Sequence, residues 1–174
     1  MVGVVANTYH SGMASLIGFP NPVNEKAART VAAVVAASCA LVLVTGWYWL
    51  LVPIAYGFLA RVLTGPRLSP LGALAQKVIA PRFLGAPRLV PGPPKRFAQG
   101  IGAVVTTVAA VAALVLGWVG LANALLAMMV VFATLEAALG FCVGCRIFAG
   151  LMRLGVIPEE TCAACADISL RTAA

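Results

Sequence analysis

Charge is scarce in this sequence. Only 10% of its 174 residues are charged, 12 Lys and Arg against 5 Asp and Glu, where a soluble domain usually carries about 25%. So few charges cannot cover a soluble surface, whereas lipid needs no polar cover. A hydrophobic content of 62% and a mean hydropathy of +1.02 fit one compact membrane domain. Histidine occurs once, as His10, which excludes a bis-histidine haem within one chain. There is no Walker loop, Rossmann fingerprint or Ser/His/Asp set. Residues 1–19 contain no Lys or Arg, and Pro20-Asn21-Pro22 interrupts any early helix, so the start of the chain does not read as a cleaved signal. Aromatics are too few in the basic segment to stack bases. The net charge of +7 therefore points to topology and anionic lipid rather than to nucleic acid.

What is present is long apolar runs. Ala27–Thr45 and Trp47–Leu63 are separated by Gly46 alone and read as a tight helical hairpin; Ile101–Val119 and Ala122–Cys142 read as a second, turning near Gly117 and Gly120. A membrane span needs about 20 apolar residues, with a range of about 17–25. The expected fold is all-α, an integral membrane bundle of four transmembrane helices. Residues 1–26 form an N-terminal cap segment, 27–142 the four-span domain, and 143–174 a Cys-rich cytoplasmic tail. Asn24 is placed to cap the first helix, with Glu25 at its positive end, and Pro53 to kink the second. Residues 64–98 are a proline-rich basic loop in which Leu71–Ala80 could form a short amphipathic surface helix. The two halves resemble a duplicated hairpin, although Ala/Val-rich spans also look alike by composition alone.

Every Lys and Arg lies at the start of the first span, around the central loop, or after the fourth span; the tight hairpins have none. Because cytoplasmic loops carry the excess of Lys and Arg, both termini and the central loop are expected inside the cell. Trp47, Trp49 and Trp118 all lie beside the hairpins, as expected of an aromatic belt at the outer face.

Four of the five cysteines form two pairs, Cys142-x2-Cys145 and Cys162-x2-Cys165, separated by 16 residues. This spacing fits the C-x2-C-x15–20-C-x2-C pattern for zinc, in which four thiolates close one tetrahedral site. It fits dithiol chemistry equally. Cys142 and Cys145 would share a helix face, Arg146 would favour a thiolate, and two pairs could exchange electrons or sulfane sulfur. The expected cytoplasmic position is reducing, which disfavours stable disulfides. Cys39 reads as a packing residue. Glu136, ionisable within the fourth span, is a candidate proton carrier. On an ideal helix of 3.6 residues per turn it would point roughly 120° from Cys142. Gly140-x3-Gly144 matches the small-x3-small pattern of close helix approach, and Asn123 reads as a cap or interface group.

Four stretches carry a family resemblance: FPNPVNE at Phe19–Glu25, SPLG at Ser69–Gly72, GPPKRFAQ at Gly92–Gln99 and FCVGC at Phe141–Cys145. Together they resemble the bacterial membrane family catalogued as domain of unknown function 4395, which is common in actinobacteria. Its members are often encoded near rhodanese-type thiosulfate sulfurtransferases and thioredoxin-like proteins. The resemblance implies thiol or sulfur metabolism by association. From the residues themselves, Cys142, Cys145, Cys162 and Cys165 are then expected as working thiols, Glu136 as proton relay, and a soluble sulfurtransferase or thioredoxin-like protein as partner beside the lipid bilayer. A scaffold whose tail is held by zinc on the same four cysteines is the second reading. Small-anion transport is a third, and would need an oligomer or a larger membrane complex.

Overall fold

A computed structural model describes residues 19–162, the side chains of Glu159 and Glu160 excepted. The architecture is helical. Helix α1 covers Glu25–Thr45, α2 Leu51–Thr64, α3 Pro70–Leu74, α4 Ala80–Phe83, α5 Gly92–Leu114, α6 Val119–Leu139 and α7 Val143–Arg153. A 3-10 turn at Tyr48–Leu50 leads into α2, and a π-helical turn at Ala75–Ile79 joins α3 to α4. Two-residue strands β1 (Val23–Asn24) and β2 (Leu89–Val90) pair antiparallel ahead of α1 and α5.

Helices α1, α5 and α6 are each long and apolar enough to cross a membrane, and Tyr48–Thr64 is a shorter apolar helix. The protein thus has the helices of a multi-pass membrane protein. At 1.5 Å per residue the 21 residues of α1 extend about 31 Å. The core is made of small and branched side chains, among them Val35, Cys39, Val42, Leu51, Ala109, Ala112 and Leu126. Large apolar groups such as Val44, Val104, Val115 and Leu139 face outward, the distribution expected where the surroundings are lipid.

The ends of the helices are set by local chemistry. Asn24 caps α1 as expected, its Oδ1 accepting from the Lys26 N–H at 3.1 Å. Both hairpins turn through the same dipeptide. Gly46 and Gly117 have φ of +70° and +68°, and each hands on to a tryptophan with φ near −80°. Glycine enters this left-handed region without steric cost. Tyr48 Oη donates to Asn123 Oδ1 at 2.9 Å, fixing the two turns at one end of the bundle. At the other end Arg96 Nε donates to the Val62 carbonyl, and Arg29 to the carbonyls of Ala137 and Ala138.

Three helix boundaries differ from the expected ones. Helix α5 begins at Gly92, nine residues before the expected Ile101, so the loop placed at 64–98 contains α3, α4 and the first two turns of α5. Pro93 and Pro94 start this helix, because proline's fixed φ and missing N–H suit the first turn. Helix α5 ends at Leu114 rather than Val119, and α6 ends at Leu139 rather than Cys142. Pro53 lies in the first α-turn after the 3-10 segment.

A candidate dithiol site at the α6–α7 junction

The junction is built by a helix end that is closed almost completely. Gly140 adopts φ +69°. Its N–H and that of Phe141 return to the carbonyls of Glu136 and Leu135. The next two carbonyls, of Ala137 and Ala138, are taken by the guanidinium of Arg29 from α1, at 2.7 to 3.0 Å. These are the acceptors a helix end leaves without partners. A Cβ on Gly140 would stand 3.0 Å from Glu25 Oε1, so both space and conformation select glycine.

The chain then reverses into α7. Cys142, extended at φ −92° and ψ 108°, occupies its N-cap position, and Cys145 stands in the first turn. Both are free thiols, Cys142 buried and Cys145 partly so. Helix α7 lies against α5: a Cβ on Gly144 would fall 2.6 Å from Ala98 Cβ, and the rings of Phe148 and Phe97 meet edge-on at 5.7 Å. Gly140 and Gly144 thus do not form one small-x3-small face. The first ends α6, and the second seats α7.

An ion pair stands beside the thiols. Lys95 Nζ is 2.6 Å from Glu136 Oε1, with side chains 9% and 16% exposed. Such burial requires each charge to have its partner. The Cys145 thiol hydrogen-bonds the Cys142 sulfur and holds Cys142 below the ordinary thiol pKa; Lys95 acts in the same direction, while burial and Glu136 oppose it. Cys145, on the donating side of that bond and itself desolvated, is raised well above the ordinary value. The pair therefore consists of one thiolate-prone sulfur and one protonated neighbour. Thiolate, rather than thiol, is the nucleophile.

Glu136 and Cys142 line the same cavity, of about 80 Å³, with Gln99, Met129 and Gly144. The ideal-helix angle separating them does not apply, because α6 stops at Gly140 between the two. Lys95 was the residue missed. It reads as one more positive charge of the basic loop, but two signals identify it: the prolines that start α5 just before it, and the need of a buried Glu136 for a cation. Arg146 lies over the Phe141 ring at 5.1 Å, so Lys95 supplies the charge expected of it.

Of the four expected thiols the structure brings Cys142 and Cys145 together. Cys162 packs with Phe148 and Met152, further along α7, and is disulfide-bonded, so its thiolate becomes available only on reduction. Cys165 lies outside the described residues. Among the described residues no group of three or more His, Cys, Asp or Glu is arranged to hold a metal ion. Cys39 is buried between the helices as a packing residue, and Asn123 serves the interface with Tyr48.

No curated protein and no solved structure matches the chain. A family model does, over residues 23–153, a stretch that contains helices α1 to α7 and the Cys142–Cys145 pair. The chain belongs to the family described as domain of unknown function 4395.

Proposed function

We propose that this protein is a four-span membrane component of thiol or sulfur metabolism, working through Cys142 and Cys145 at the cytoplasmic boundary. The 17 residues of Tyr48–Thr64 extend about 26 Å, close to the roughly 30 Å hydrocarbon core, which supports a fourth span. The clustering of Lys and Arg at the end opposite the Gly–Trp turns supports an inside location for that end. The observation that carries the chemical reading is the placement of the free Cys142 and Cys145 thiols at the start of α7, beside the buried Lys95–Glu136 pair.

The chemistry is exchange. The Cys142 thiolate attacks one sulfur of a disulfide on a soluble partner, and the partner's other sulfur leaves as a thiolate. Cys145 gives its proton to Glu136 and attacks the Cys142 sulfur, expelling the partner's second thiolate. A Cys142–Cys145 disulfide results, two electrons have passed to the partner, and the reverse sequence oxidises a dithiol. The same first attack on the outer sulfur of a partner persulfide leaves a persulfide on Cys142 and releases the partner thiolate.

Trapping tests this. Cys145→Ser retains the attacking sulfur and lacks the resolving one, so it should accumulate a mixed disulfide when incubated with an oxidised thioredoxin-like protein or a sulfurtransferase. Cys142→Ser should not. Equal trapping by both variants, or by neither, would overturn the reading. Stoichiometric zinc on these thiols that resists mild oxidant would favour the zinc-held scaffold.

A further inference from the structure

Arg61 lies on α2 with 6% of its surface exposed, its guanidinium 4.6 Å over the Phe58 ring. Nε donates to Gln99 Oε1 at 2.8 Å and Nη1 to Ser69 Oγ at 3.3 Å. Nη2 is buried without any partner. Among the described residues Glu25 pairs with Arg88 and Glu136 with Lys95, and neither pairs with Arg61. A buried cation without a counter-charge is costly, the more so at membrane depth.

Arg61 borders a cavity of about 60 Å³ that is also lined by Asn24, Gln76, Lys95 and Gln99, and by no carboxylate among the described residues. The amide orientations are forced. Gln99 Oε1 accepts from an arginine, which can only donate, and Asn24 Oδ1 accepts from a backbone N–H. Each amide is left with its NH2 group for any occupant. Asn24 and Gln99 thus present donors to the cavity, beside the positive charge of Arg61.

We infer that this cavity is a binding site for one compact monovalent anion, of the size of chloride or hydrosulfide. A volume of about 60 Å³ is small beside the roughly 300–1,000 Å³ of pockets for drug-sized ligands, so an occupant must be compact. The cavity adjoins the dithiol site, sharing Lys95 and Gln99 with it, but no cysteine lines it.

The test uses the full chain in lipid nanodiscs in gluconate buffer, with bromide as the probe. Protein-dependent broadening of the bromide NMR signal should saturate and be displaced by chloride. Arg61→Gln should weaken the apparent affinity at least about tenfold, a factor equivalent to 1.4 kcal/mol. If that variant does not fold, Gln99→Leu, which keeps the guanidinium and removes an amide donor, should still weaken it measurably. Broadening that is absent in the wild-type protein, or unchanged in whichever variant folds, would mean that water fills the cavity and would overturn the inference.

Discussion

Lys95 and Glu136 come from helices that begin and end at the same edge of the bundle, and their charged atoms stand 2.6 Å apart beneath the thiols of Cys142 and Cys145. Lys95 is three residues from Ala98, against which Gly144 seats α7, and Glu136 is four from the glycine that ends α6. The pair thus links the chemistry of the junction to its construction. Five predictions follow from this arrangement and its setting.

Removing one partner of the pair leaves the other charge buried alone. Lys95→Met and Glu136→Gln should each destabilise the protein by roughly 3–5 kcal/mol, and the double substitution Lys95→Met with Glu136→Leu should recover much of that loss. Denaturant unfolding in detergent micelles, with all variants in one double-mutant cycle, checks this.

Cys142 should react as a thiolate at lower pH than an ordinary cysteine. Its pKa is depressed first by the Cys145 hydrogen bond and then by Lys95. The pH midpoint of its alkylation should therefore lie below that of an ordinary cysteine thiol. Cys145→Ala, which removes the largest cause, should move that midpoint upward, and Lys95→Met should move it in the same direction. Iodoacetamide rates measured against pH, with Cys39 excluded by substitution, read the shift directly.

Gly144 has no room for a side chain. With Ala98 Cα only 2.7 Å and its Cβ 2.6 Å from the added carbon, Gly144→Ala should force α7 away from α5 and cost about 1–3 kcal/mol. The displacement should expose Cys142, so its alkylation by a bulky maleimide should accelerate while that of Cys39 does not.

Arg29 satisfies carbonyls that no backbone group reaches. Arg29→Ala should cost about 1–3 kcal/mol by leaving the Ala137 and Ala138 carbonyls without partners. Hydrogen exchange at the C-terminal turn of α6 should rise, while the Gly46 and Gly117 turns at the opposite end should be unaffected.

Topology gives the fifth prediction. A membrane-impermeant maleimide should label the Cys142–Cys145 pair in inverted vesicles and leave it unlabelled in intact cells. Labelling from outside would overturn the assignment of this end of the bundle to the cytoplasm.

Hydropathy and punctuation located most of the helices in the sequence. The apolar runs gave α1 and both hairpins, Asn24 announced its own cap, and the glycines of the Gly–Trp turns marked both reversals. The start of α5 was hidden because Pro93 and Pro94 read as loop residues when they are helix starters. The end of α6 was hidden because Gly140 sits in an apolar run that continues to Cys142, and only the backbone shows it left-handed. Those two errors together concealed the site. Lys95 became a loop charge, and Glu136 was projected from Cys142 along a helix that does not exist. Cys142, Cys145 and Glu136, which the structure brings to one junction, all stand out in the sequence by residue type, while their arrangement does not.

The most direct measurement is a redox titration of Cys142 and Cys145 in native membranes, equilibrated with glutathione buffers of graded potential and read by alkylation and mass shift. A single two-electron transition is expected, in which both thiols lose alkylation together, abolished by substituting either one. Two thiols that remain alkylatable at every potential, or that oxidise independently, would contradict it.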